Sequence, residues 1–303
     1  MCQDCGCVEV GTVEIHGIPT TQPSDFTQPS DFKDLGHHHA HDPHPPHSHP
    51  PHHPDPSPTH SHTLTIHERI LSKNDRFAAE NRALFQHHGL LVLNMLSSPG
   101  SGKTSVIERM AQDFRQNDPM IREQPIELGV IVGDLATEND AVRLRQAGAL
   151  ALQITTGDAC HLEADMVGQA LSHFDLSQLG LLIVENVGNL VCPASYDLGE
   201  AVRVVLLSTT EGEDKPLKYP TMFKTADIVL VNKVDVAEVL GCNLRGAIAN
   251  IQQVAPQATI FEVSARTGVG MMAFYQHLLT LMPAHASSPA TELPQRFQGN
   301  ARI

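Results

Sequence analysis

The sequence predicts an α/β protein with a mainly parallel sheet, and three observations predict it. Short apolar runs of the buried-strand type recur at 90–96, 126–132, 149–154, 180–184, 203–207, 227–231 and 258–263. Helix-like segments lie between most of them, the order expected of βαβ units. A glycine-rich loop ending in Lys103-Thr104 joins the first run to a helix-like stretch.

Residues 1–36, at the start of the chain, are short on apolar periodicity. They hold Cys2, Cys5 and Cys7 and a hexapeptide, TQPSDF, repeated at 21–26 and 27–32, which reads as a linker. Between His37 and His62, 11 of 26 residues are His and 8 are Pro. Proline removes backbone donors and favours extended polyproline II, so 37–62 is expected to be a disordered, metal-binding stretch. From Thr63 to about His88 a helix is expected, with Ile66, Ile70, Phe77 and Leu84 as its apolar positions. The strands and helices after it make one domain over 63–283, and the tail 284–303 is expected to be unstructured.

Composition narrows the classes. The chain has 303 residues, 34 acidic against 20 basic, for a formal charge of −14. That balance excludes a generally basic nucleic-acid binder, because phosphate contacts need Lys and Arg. Aromatics are 4% with no Trp, so the core must be aliphatic. The six cysteines are too sparse for a disulfide scaffold. The first residues lack a basic region followed by an apolar run, so no signal peptide is expected. No stretch reaches the ~18 apolar residues of a membrane helix. A cytoplasmic location without membrane insertion is expected. The 19 histidines point to metal.

The loop after 90–96 reads Ser97-Ser98-Pro99-Gly100-Ser101-Gly102-Lys103-Thr104-Ser105. It matches the phosphate-binding template G-x-x-x-x-G-K-[ST] except that Ser97 replaces the first glycine. Backbone N–H groups around Gly100, Ser101 and Gly102 form an anion nest at a helix N-terminus. Lys103 is placed to reach the β/γ-phosphates, and Thr104 to ligate Mg²⁺. Asn232-Lys233-Val234-Asp235 ends a late strand. An Asp there accepts from guanine N1–H and the exocyclic amine, a donor pair adenine lacks. Ser264-Ala265-Arg266 follows the last strand, where such a loop supports guanine through backbone N–H. GTP/GDP is therefore the expected ligand. Asp134 and Glu185 end neighbouring strands and face the nucleotide. Both are candidates for Mg²⁺ and for the hydrolytic step with Lys103, while Gly188 is a γ-phosphate contact. Helix capping is the alternative role for Asp134. No glutamine follows Gly188, so slow intrinsic hydrolysis is expected.

Cys160-His161 and Cys192 also follow strands and share the nucleotide face. Two thiolates and an imidazole suit Zn²⁺ or Ni²⁺ and leave a position for water or a second subunit. Cys2, Cys5 and Cys7 form C-x-x-C-G-C, whose close thiolates and backbone amides favour square-planar Ni(II) or Cu(II). Cys242 has no paired ligand and is read as structural.

These motifs carry a resemblance that covers nearly the whole chain: CxxCGC at 2–7, the His-rich insert, SSPGSGKT at 97–104, GDLATENDA at 133–141, TGDACHLEA at 156–164, ENVGNLVCP at 185–193, EGEDKPLKYP at 211–220 and NKVD at 232–235. The sequence closely resembles the hydrogenase nickel-incorporation (HypB) GTPases. The resemblance implies a SIMIBI-type P-loop NTPase, the class that also holds signal-recognition and nitrogenase-type NTPases, working as a nucleotide-dependent homodimer. It implies Ni²⁺ delivery to the large subunit of [NiFe]-hydrogenase with a HypA-type metallochaperone and the prolyl isomerase SlyD. By matched position Cys160, His161 and Cys192 are the domain's metal site, and Cys2, Cys5 and Cys7 the N-terminal nickel site. Three rivals stand beside this reading. A urease-type nickel GTPase would carry Cys-Pro-His, absent here. A nickel storage protein would not need the intact nucleotide motifs. A GTPase chaperone for a cobalamin mutase would not need the Cys/His arm.

Overall fold

The computed structural model describes residues 14–16, 59–116, 126–283 and 294–297. Cys2, Cys5, Cys7 and most of the His/Pro stretch lie outside them. The chain divides into two units, residues 19–68 and residues 1–18 with 69–303.

The second unit holds the sheet. Its strands are β1 (Glu14–His16), β2 (Leu91–Leu96), β3 (Leu128–Asp134), β4 (Leu150–Thr155), β5 (Leu181–Glu185), β6 (Val202–Ser208), β7 (Ile228–Asn232) and β8 (Thr259–Glu262). The helices are α1 (Thr59–His87), α2 (Lys103–Arg115), α3 (Asn139–Ala147), α4 (Ala164–Leu171), α5 (Lys215–Lys218), α6 (Pro220–Lys224), α7 (Leu244–Val254) and α8 (Met271–Leu281). The strands form one sheet in the order β1-β4-β3-β5-β2-β6-β7-β8. β2 to β8 are parallel, as the seven apolar runs imply, and β1 pairs antiparallel with β4.

The strands are continuous apolar runs because both sheet faces are covered. All six residues of β2 are buried. On one face Leu91, Leu93 and Met95 join Val130, Ile183 and Val204 under α2, α3 and α8. On the other, Val92, Leu152 and Val184 meet Leu84 and Phe85 of α1 and Val167 and Leu171 of α4. Further along that face, Leu96, Val205 and Val231 meet Met222 and Phe223 of α6 and Ile251 of α7. Each such side chain contributes roughly 1.5–3 kcal/mol on burial. The chain leaves β2 to build β3 and β4, returns to lay β5 beside β2, then crosses to β6. The loop after β2 therefore sits at the reversal point, where open α/β sheets bind ligands.

Three features depart from the sequence reading. Glu14–His16, within the expected linker, adds an edge strand: Ile15 stands opposite Ile154 and packs on the core. The helix begins at Thr59, four residues inside the His/Pro stretch. The tail is not wholly unstructured. Phe297 is buried. The Arg296 guanidinium donates to Asn81 Oδ1 at 2.9 Å, pairs with Asp165 at 3.3 Å and lies over Phe77. Gly168 of α4 leaves the space this guanidinium occupies. Lone apolar residues in a polar tail give no periodicity, so sequence could not mark this anchor. Among the described residues no helix is long and apolar enough to cross a membrane.

Candidate functional site

The loop Ser97–Gly102 turns from β2 into α2 with left-handed backbone at Gly100 (φ 75°) and Gly102 (φ 99°), a conformation glycine adopts without strain. A Cβ on Gly102 would stand 2.6 Å from Asn232 Nδ2. No side chain caps the N-terminus of α2, so its first N–H groups are left for an anion. Ser97, the departure from the template, has a use: its hydroxyl accepts from Lys103 Nζ at 3.0 Å and donates to the Ser98 carbonyl. Lys103 is buried, which lowers its pKa, while Glu185 and other nearby carboxylates raise it.

The Thr104 hydroxyl donates to Glu185 Oε1 at 2.7 Å. Burial pushes the Glu185 carboxyl up to about 7 against the opposing pull of Lys103 and Thr104. Its Oε2 is buried with no hydrogen-bond partner, an orphan expected of a carboxylate shaped to meet a cation or an ordered water. Asp134 accepts from the Thr137 N–H and hydroxyl at 3.2 and 2.8 Å. It therefore closes a turn ahead of α3; the residue at the helix cap is Glu138. Asp134, Glu185, Lys103 and Thr104 line one cavity of about 470 Å³. Arg143 and Asp140 of α3 line it too, with Arg143 also paired to Glu108 at 2.6 Å. The motif reading passed over both, although they fall within or next to the GDLATENDA segment.

A second cavity, of about 260 Å³, adjoins it and is lined by Gly102, Ser105, Asn232, Asp235, Ala265 and Arg266. Asn232 Nδ2 donates to the Ser101 carbonyl at 2.9 Å, and Lys233 Nζ to that of Gly100 at 2.8 Å. Lys233 takes a left-handed φ of 64°, the one non-glycine among the described residues to do so. These two bonds join the P-loop to the Asn232-Lys233 segment across 131 and 133 residues. The Asp235 carboxylate accepts from the Ser264 hydroxyl at 2.7 Å and Arg266 Nε at 3.1 Å. Ser264, then Arg266, holds it below the usual carboxylate range. The Ala265 N–H donates to Asn232 Oδ1 at 3.3 Å. Arg266 thus has a side-chain contact, whereas the sequence pointed only to its backbone. Glu211, from the EGEDKPLKYP segment, stands beside the P-loop, with Ser101 Oγ 3.2 Å from both its oxygens. Sequence reasoning assigned it no role, because the contact spans 110 residues.

Cys160-His161 precedes α4 and Cys192 opens a short 3₁₀ turn, Cys192–Ser195. One ligand atom from each of Cys160, His161 and Cys192 lies within 4.8 Å of the others. The His161 ring is buried and stacks on Tyr196 with centroids 3.8 Å apart. Its Nδ1 is 3.7 Å from Cys160 Sγ. Its Nε2 has no hydrogen-bond partner; Glu163 Oε1, at 3.8 Å, is too far. Two thiols and a buried imidazole gathered this closely fit a borderline-soft metal ion. Cys242 stands apart from this cluster, and burial pushes its thiol up.

Fold and site together define a P-loop nucleotide-binding α/β protein that also carries a Cys/His cluster. Residues 91–262 match the family described as CobW/HypB/UreG, nucleotide-binding domain. The chain is 50% identical over 215 residues to the hydrogenase maturation factor HypB of Rhizobium leguminosarum bv. viciae, covering 71% of this chain and 69% of that one. It is 46% identical over 220 residues to the hydrogenase/urease maturation factor HypB of Helicobacter pylori, covering 71% of this chain and 87% of that one. The crystal structure of HypB from Helicobacter pylori in complex with nickel superimposes with a TM-score of 0.64 at 43% identity, over 71% of this chain and 100% of that one. The chain belongs to the HypB family of hydrogenase maturation factors.

Proposed function

We propose that this chain is a GTP-hydrolysing nickel metallochaperone that delivers Ni²⁺ to the large subunit of [NiFe]-hydrogenase. In this reading nucleotide state is coupled to metal binding and to homodimer formation. One observation carries it: Glu185, at the end of β5 beside the P-loop, and Cys192, in the Cys/His cluster, stand seven residues apart at the two ends of one connection. The nickel bound in the Helicobacter pylori relative supports the metal.

The N–H groups of Gly100, Ser101, Gly102 and Lys103 cradle the phosphates, and Lys103 leaves Ser97 for the β/γ-phosphates. Thr104, Asp134 and Glu185 would hold Mg²⁺, which supplies charge neutralisation at the phosphates. Asp235, positioned by Ser264 and Arg266, selects guanine. Ser105 and the Ala265 backbone border the base, and Asn232 and Lys233 brace the loop. Loss of the γ-phosphate releases the 186–200 segment, which displaces Cys192 from Cys160 and His161 and lowers Ni²⁺ affinity. Zn²⁺ also suits this donor set. Three ligands leave the set open, and a second copy of the chain completes it. Cys2, Cys5, Cys7 and the His/Pro stretch hold Ni²⁺ independently. A HypA-type metallochaperone and SlyD are the proposed partners, in the cytoplasm. Delivery to urease is the second reading, favoured by the naming of the Helicobacter pylori relative for both enzymes. Against it, Cys192-Pro193 is followed by Ala194.

Ni²⁺ affinity measured with GDP and with a non-hydrolysable GTP analogue tests the coupling, and equal affinities would sink it. Deleting the gene and assaying hydrogenase with and without added nickel tests delivery; rescue by nickel supports it.

A further inference from the structure

Four of the five residues in Glu185–Asn189 touch something that matters to the site, and they do so in two directions. Toward the phosphates, Glu185 accepts from the Thr104 hydroxyl at 2.7 Å. Gly188 lies so close to the P-loop that a Cβ there would stand 3.0 Å from Pro99 Cα. Toward the metal cluster, Asn186 Oδ1 accepts from the Leu162 N–H at 3.1 Å. Asn189 Nδ2 donates to the Cys160 carbonyl at 3.4 Å. These two bonds hold the backbone on either side of His161.

Both amides are tied down at their other ends. Asn186 is 1% exposed, its Oδ1 also accepts from the Val187 N–H at 3.0 Å, and its Nδ2 donates to Asn94 at 3.3 Å. Asn189 Oδ1 accepts from the Val191 N–H at 2.8 Å, one residue before Cys192. A buried amide is costly unless it is hydrogen-bonded, and here one bond anchors Asn186 to β2 while others reach the turn that carries Cys160 and His161.

We propose that Asn186 and Asn189 are positioning residues that carry nucleotide state to the Cys160-His161 half of the metal cluster. This rests on the nucleotide–nickel coupling proposed above and goes beyond it. A loop carrying only Cys192 would move one ligand; two amides on the same segment move the other two with it. A displacement of Glu185 and Gly188 against the phosphates is therefore delivered to Cys160 O and Leu162 N together.

The test uses the full chain with Cys2→Ser, Cys5→Ser and Cys7→Ser, so that thiolate-to-nickel absorption reports the domain cluster alone. Ni²⁺ is titrated with GDP and with a non-hydrolysable GTP analogue, in this parent and in its Asn186→Ala and Asn189→Ala variants. The parent ratio of affinities is expected within the about 5- to 150-fold usual for coupled sites. In both variants it should fall to about one. Asn189 is only half-buried, so its variant decides the matter should Asn186→Ala fail to fold. A purely structural role would weaken Ni²⁺ equally in both nucleotide states and keep the parent ratio, and that result overturns the proposal. A parent ratio of one would instead overturn the coupling reading itself, and the proposal with it.

Discussion

Replacing Glu185 by glutamine separates what this carboxylate costs the fold from what it does for the ligand. Glu185 is 4% exposed and accepts from Thr104 through Oε1, while Oε2 has no hydrogen-bond partner. Burial raises its pKa from the ordinary 4.5 to about 7, with Lys103 and Thr104 opposing the rise. The folded chain therefore binds this proton more tightly than the unfolded chain does. Its contribution to stability is fully present below about pH 4.5 and is lost as pH rises through about 7. At 1.36 kcal/mol per pKa unit, the loss is roughly 3 kcal/mol by pH 8. Glutamine is neutral throughout and keeps an oxygen for Thr104. The nucleotide-free Glu185→Gln chain should thus match wild type near pH 4.5 and exceed it by roughly 3 kcal/mol at pH 8. For a domain of this size that is roughly 6–12 °C in the melting midpoint. Calorimetry from pH 4.5 to 8.5 without nucleotide or Mg²⁺ reads it directly. The same variant should lose GTP hydrolysis, since a neutral amide is a poor Mg²⁺ ligand. A pH-independent difference, or a less stable variant at pH 8, would refute the burial argument.

Three other substitutions probe separate parts of the chain. Lys103→Ala should abolish GTP hydrolysis while equilibrium dialysis still finds Ni²⁺ on Cys2, Cys5, Cys7 and the His/Pro stretch; lost binding there would contradict independent modules. Asp235→Asn should weaken GTP about 10- to 100-fold in a fluorescent-nucleotide titration, since hydrogen bonds to a charged acceptor are each worth about 1.5–3 kcal/mol; unchanged affinity would remove guanine selection from Asp235. Phe297→Ala should cost about 3 kcal/mol in chemical denaturation, the size of a buried Phe truncation; no cost would mean the tail anchor does not hold in solution.

Much of the sheet was legible because a parallel strand buried on both faces is a local signal. Each of the seven apolar runs became a strand, shifted by two residues or fewer at either end. The P-loop and Asn232-Lys233-Val234-Asp235 were legible for the same reason: a few adjacent residues set the backbone that binds. The three-residue edge strand Glu14–His16 was not, because it is held by backbone bonds to β4 rather than by a pattern of its own. The α1 periodicity named Phe77 and Leu84 but missed that its buried face includes Asn74 and Asn81. Asn81 donates to the carbonyls of Ala164 and Leu198 at 2.8 and 3.0 Å, partners 83 and 117 residues away.

Residue type and short spacing were enough for the class of fold, for the P-loop and Asn232-Lys233-Val234-Asp235 segments, and for naming the Cys and His residues proposed as metal donors. Long-range packing was needed to bring Cys160, His161 and Cys192 together, to set Glu211 and Arg143 beside the phosphate loop, and to join the nucleotide loops to the metal turn through Asn186 and Asn189. Those contacts depend on β5 lying between β3 and β2. That placement is chosen by packing over the whole sheet, and hydrogen bonds between residues far apart in the chain leave no periodicity in it.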